Sequence, residues 1–150
     1  MSERPLWNAQ RSATLSIVVT WIALGLAVAC VPLLVPILNL VYNPAWVVRA
    51  AGPLYAGLVF GIAALVLLLR VLIDIRRGEV FTVKNVWRLR ALSYCGYAIM
   101  LACVVGFIVQ PEAGFVLLAL IAGFMGLLMR VIKNVIDTAR LLKEDADYTI

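Results

Sequence analysis

Histidine is absent from the chain. Haem held by paired histidines, imidazole metal sites and histidine-based acid–base catalysis are therefore excluded. Charge is scarce as well: Asp, Glu, Lys and Arg make up 14% of the 150 residues, where soluble domains carry about 25%. The three cysteines, Cys30, Cys95 and Cys103, all lie in apolar segments and form no CxxC pair. They read as small buried hydrophobes, not as a disulfide framework or a metal set. Neither a P-loop nor a GxGxxG turn occurs. No acidic residue falls in the central part of any apolar run, where a small proton-coupled exporter would need one. A catalytic reading would have to rest on Asp74, Glu79 or the acidic end of the chain, and nothing nearby supplies a nucleophile. The expectation is a non-enzymatic protein with no cofactor and no bound metal.

Hydrocarbon is what the chain has in abundance. Hydrophobic residues reach 65% and the mean hydropathy is +1.04, against about 45–50% apolar residues in soluble domains. Four apolar runs carry this excess, at about 13–40, 54–73, 90–109 and 114–131. Each approaches or exceeds the roughly twenty residues that cross a bilayer. The fold class is an all-α membrane protein: one four-helix domain over 1–150, built as two helical hairpins. The first run continues well past the length of a signal h-region and lacks an obvious cleavage site, so it is expected to stay as an anchor.

Basic residues set the orientation. The chain holds 13 Lys and Arg against 8 Asp and Glu, a formal charge of +5. Of the outer turns, only the one near Arg49 carries a basic residue; the others lie in the leader, the 74–90 stretch, the tail, or the span ends beside them. Both termini and the central loop are therefore expected in the cytoplasm. Positions 45 to 52 and 110 to 113 are expected outside, with 76 to 86 and the tail inside. The basic excess is read as topology and contact with anionic lipid, and no direct nucleic-acid binding is expected.

Local signals refine the spans. Pro32 and Pro36 should kink the outer half of the first. Asn43 caps a helix that starts at Pro44 and is expected to stop at Gly52-Pro53, with Tyr42, Trp46 and Tyr55 as an aromatic anchor at headgroup level. Gly57 and Gly61 form a GxxxG pair, and Ala98, Ala102 and Gly106 a second smooth stripe. Arg70 snorkels at a span end, with Asp74 as its expected partner. Gly78 can take a positive φ that turns the chain out of the second helix. Phe81 can wedge against the bundle before the Thr82 cap, whose hydroxyl reaches the amide of Lys84 or Asn85. In the last run Ile132, Ile136, Ala139 and Leu142 extend a helical stripe beyond the membrane. Lys133 with Asp137, and Arg140 with Glu144, are four-residue pairs on that extension. The final DADYTI is expected to leave the helix.

The stretch GEVFTVKNVWRLRALS resembles the pattern GEPFTxENVxRLRxIG of a family of small bacterial membrane proteins, the domain of unknown function 2975. It matches at Gly78, Glu79, Phe81, Thr82, Asn85, Val86, Arg88, Leu89 and Arg90. The ending ARLLKEDADYTI resembles that family's AxxLKEDNDLTI through Ala139, Leu142, Lys143, Glu144, Asp145, Asp147, Thr149 and Ile150. Departures are Val80 for Pro, Lys84 for Glu, Leu92 for Ile, Ser93 for Gly, and Ala146 with Tyr148 in the tail. The resemblance implies four spans in the bacterial inner membrane and no known activity. It also implies a membrane partner for a small helix-turn-helix regulator, because members are often encoded beside one.

The candidate docking residues are Gly78, Glu79, Phe81, Thr82, Asn85, Arg88, Arg90, Asp137, Lys143, Glu144, Asp145 and Asp147. At least one of Arg88 and Arg90 is expected to pair with Asp137, Glu144, Asp145 or Asp147. The leading reading is a membrane scaffold or regulatory protein with a cytoplasmic docking face, joined to a protein partner or to further copies of itself. The alternative is a small transporter or channel component, or an accessory subunit of a larger membrane complex.

Overall fold

A computed structural model describes residues 3–148, with side chains from Asn8 onward. Thr149 and Ile150, which carry part of the family resemblance, lie outside the described residues. The elements are α1 (Glu3–Val41), α2 (Pro44–Arg76), α3 (Val83–Val109) and α4 (Ala113–Tyr148). All four are long and apolar enough to cross a membrane. At 1.5 Å per residue, the 36 residues of α4 reach about 54 Å. The hydrocarbon core needs about 30 Å, so α4 extends well beyond it.

The helices form an open row. Packing joins α1 to α2, α2 to α3 and α3 to α4, and no close backbone approach joins α1 to α3 or α4, or α2 to α4, among the described residues. The accessible surface is 10212 Å², where a compact soluble monomer of this mass would expose about 7,500 Å². The difference is long apolar helix face, which a bilayer can cover and water cannot.

Two packed clusters hold the row. Ala50, Cys103 and Phe115 are buried together with Trp46, Leu54, Ile99 and Ala119 around them. At the other end Val71, Leu89 and Leu92 gather Leu67, Leu68, Met129 and Ile136. The tightest approach is between α3 and α4. Ser93 donates from Oγ to the Gly126 carbonyl at 2.9 Å, and a Cβ on Gly96 would lie 2.9 Å from the Gly126 Cα. Small-xxx-small spacing at Ala122 and Gly126 makes that approach possible.

Several expectations are corrected. The helix starting at Pro44 does not stop at Gly52-Pro53 but runs on to Arg76. Val47 and Ala50 are 2% and 0% exposed, and this burial outweighs one lost backbone donor at Pro53. Trp46 stacks on Tyr42, with ring centroids 4.0 Å apart, and packs on the Ala50 cluster, so its ring turns toward the bundle. Tyr55 also turns inward: its hydroxyl donates to the Val31 carbonyl at 2.9 Å, beside Pro32 in the α1 segment whose prolines lack donors. Gly57 and Gly61 have nothing within 4 Å of a built Cβ, so among the described residues they seat no neighbouring helix. The tail does not leave the helix before Tyr148. Nothing in KEDADY breaks a helix, and Arg140 braces the turn to Glu144 at 2.9 Å. The apolar stripe of that extension is rotated from expectation, since Ile136 packs inward while Ile132 and Leu142 are exposed.

Candidate functional site

Among the described residues, a dense set of polar contacts closes the turn between α2 and α3. Gly78 has φ +83°, a left-handed conformation that glycine adopts without a Cβ penalty. Its amide donates to Ile75 O at 3.1 Å, and the Glu79 amide to Asp74 O at 3.0 Å. This pair of bonds is a Schellman ending, which satisfies carbonyls that a helix terminus leaves open. Four residues later Thr82 caps α3, its hydroxyl accepting from the Asn85 amide at 3.3 Å.

Asn85 clasps the two ends. Its side chain is 1% exposed, the largest fully buried side chain among the described residues. The side-chain amide donates to Glu79 O at 2.7 Å and to Val80 O at 3.4 Å. A glutamate or glutamine at this third helical position usually reaches back to the cap amide. The shorter Asn85 instead holds the turn carbonyls that neither helix can satisfy.

Arg88 completes the closure. Its guanidinium pairs with the Asp74 carboxylate on α2 and donates to Asn85 Oδ1 at 3.5 Å. The two charged side chains are only 23% and 16% exposed, so each shields the other from unpaired burial. The expected link from Arg88 to the α4 carboxylates is therefore overturned, as is the Arg70–Asp74 pair. Residues 88 and 90 lie about 200° apart around a helix. Because α3 stands between α2 and α4, Arg88 faces α2 and Arg90 faces the α4 side.

Of the sequence candidates, Gly78, Glu79, Thr82, Asn85 and Arg88 come together at this turn, joined by Asp74. Phe81 is not wedged into the bundle; it stays 44% exposed. Arg90 makes no ion pair among the described residues and lines a separate cleft with Arg130 and Lys133. Asp137 and Glu144 are both engaged by Arg140, not by α3, and Lys133 is not Asp137's partner. Lys143, Asp145 and Asp147 are exposed on the final turns.

The sequence reading missed Ser93, Gly96 and Gly126. Ser93, a lone hydroxyl in an apolar span, and the Ala122-xxx-Gly126 spacing were the available signals. Among the described residues no group of His, Cys, Asp or Glu side chains is placed to hold a metal ion. The buried polar groups of the turn hold one another and fix the two helix ends in place.

A family model described as a protein of unknown function, DUF2975, matches residues 41–150. Comparison with curated proteins and with solved structures finds no match.

Proposed function

We propose that this chain, which belongs to the DUF2975 family of proteins of unknown function, is a non-enzymatic membrane scaffold or regulatory protein. It presents the end bearing the α2–α3 turn and the α4 extension to a protein partner. One observation carries this reading: the buckled turn and the ion-paired extension of α4 stand at the same end, while the spans are almost wholly apolar. A rigid turn beside a helix that outruns the membrane is a suitable platform for docking. The Lys and Arg bias supports a cytoplasmic position for that end, and the bacterial inner membrane is the compartment the family resemblance favours. A small helix-turn-helix regulator is the partner class it implies.

The test is a pull-down from native membranes in mild detergent, comparing the intact chain with one truncated after Leu142. The expected result is loss of the partner on truncation, with the membrane domain still folded. Equal recovery from both chains would remove the tail from the docking role.

A further inference from the structure

At the same end, on the face of α3 turned away from the Asp74–Arg88 pair, lies an open cleft between α3 and α4 of about 220 Å³. Its lining is Arg90, Ser93, Tyr94, Tyr97, Arg130 and Lys133. Three of the six are cations and none is an acid. Arg90, Arg130 and Lys133 have no hydrogen-bond or ion-pair partner among the described residues. The carboxylates that could have neutralised them are occupied: Asp74 by Arg88, and Asp137 and Glu144 by Arg140. Like charges brought together without a counter-charge repel one another. A fold that gathers them at a membrane edge gains stability when an anion joins them.

We propose that this cleft binds the phosphate headgroup of a membrane lipid. Arginine and lysine both suit phosphate, the first through its fork of donors and the second as a point charge. Basic pockets between membrane helices take lipid headgroups for this reason. The floor is fixed in advance, because the Ser93–Gly126 bond locks the two helices where the cleft opens. Tyr97 lays its ring over Gly126, where a Cβ would come within 3.2 Å.

A lipid fits better than soluble phosphate because of what lies along the seam. From Arg90, Ser93 and Tyr97 the same face of α3 continues through Met100, Val104 and Phe107 in steps of three or four. Those residues line an almost wholly apolar groove of about 530 Å³, against Gly123 and Leu127 of α4. Cationic cleft and apolar groove are thus in register on one helix–helix seam. Arg90 and Met100 are ten residues apart in one helix, or about 15 Å, the depth of one leaflet. A chain attached to a headgroup at Arg90 therefore reaches the near mouth of the groove. The site is independent of which protein partner docks and of which way the chain crosses the membrane.

The experiment is native mass spectrometry of the full chain in neutral detergent, titrated with phosphatidylglycerol, with phosphatidylcholine, and with inorganic phosphate. Phosphatidylglycerol is expected to bind one per chain in preference to phosphatidylcholine, and inorganic phosphate is expected neither to bind nor to displace it. Arg90→Gln, Arg130→Gln and Lys133→Gln should each weaken the lipid by about fivefold and together by about a hundredfold. The double variant Arg76→Gln, Lys84→Gln removes two cations of the same end that lie outside the cleft, and should leave binding unchanged. If the triple variant does not fold, the three single variants decide. Equal binding by the single variants and the wild type, or equal losses in the cleft and control variants, would overturn the site. Tight binding of inorganic phosphate alone would overturn its assignment to a lipid.

Discussion

Alanine at Gly96 will separate α3 from α4 and cost the protein about 1–3 kcal/mol, net of the roughly 1 kcal/mol that alanine gains as a helix former. The new Cβ would lie 2.9 Å from the Gly126 Cα and 3.2 Å from the Ala122 carbonyl oxygen. Both neighbours are backbone, so no side-chain rotation relieves the contact and the helices must move apart. Overpacking of this kind costs about 1–3 kcal/mol. Separation also stretches the Ser93–Gly126 bond, worth about 1 kcal/mol. Between membrane helices there is little hydrophobic drive to compensate, because close van der Waals contact is itself the driving force. The comparison variants are Gly57→Ala and Gly61→Ala, where nothing stands within 4 Å. These should be neutral or slightly stabilising, since alanine is the better helix former by about 1 kcal/mol. Unfolding in mixed micelles, followed by helicity, separates the two classes. A Gly96→Ala protein as stable as Gly57→Ala would show that the α3–α4 seam is not where the row is held.

The Asn85→Asp variant should open the α2–α3 turn more than Asn85→Ala does. Alanine leaves the Glu79 and Val80 carbonyls without their donor, at about 1–3 kcal/mol for a buried group left unsatisfied. Aspartate does worse at neutral pH, because it aims a carboxylate at those same two carbonyls in a site 1% exposed. Arg88 offers partial relief, but it is already committed to Asp74. Burial and facing acceptors disfavour the charged form, so the new carboxyl titrates above its unfolded value. Its penalty is therefore full at high pH and shrinks as pH falls through that raised value, where the protonated acid recovers one donor. Limited proteolysis across 77–82 is the readout, with faster cleavage for Asp than for Ala at neutral pH and a smaller gap under acid conditions. Wild-type cleavage rates in both variants would mean that Asn85 does not close the turn.

The parts of this fold that sequence reading reached are those set within one helical turn. Thr82 and the Asn85 amide are three residues apart, Asn43 and the Ala45 amide two, and Gly78 alone provides the left-handed residue of its ending. Arg140 with Glu144 is likewise local. What escaped depends on how helices are placed and rotated. Asp74 and Arg88 are 14 positions apart and Ser93 and Gly126 are 33 apart, and no local pattern states which helix faces which. The Gly52-Pro53 stop failed for the same reason, since Ala50 packs with Cys103 and Phe115 far along the chain. Arg90 was legible as a cation bound for lipid phosphate or the tail. That Arg130 and Lys133 meet it in one cleft follows only from the α3–α4 register.

The polar structure of this membrane protein is gathered at one end, which we propose lies in the cytoplasm, and single-cysteine accessibility tests that placement most directly. In a background with Cys30, Cys95 and Cys103 replaced by alanine, Glu79→Cys reports the α2–α3 turn and Ala113→Cys the α3–α4 turn. An impermeant thiol reagent added to intact cells should label Ala113→Cys at once, and Glu79→Cys only after the membrane is opened. Labelling of Glu79→Cys from outside intact cells, with Ala113→Cys protected, would contradict the account.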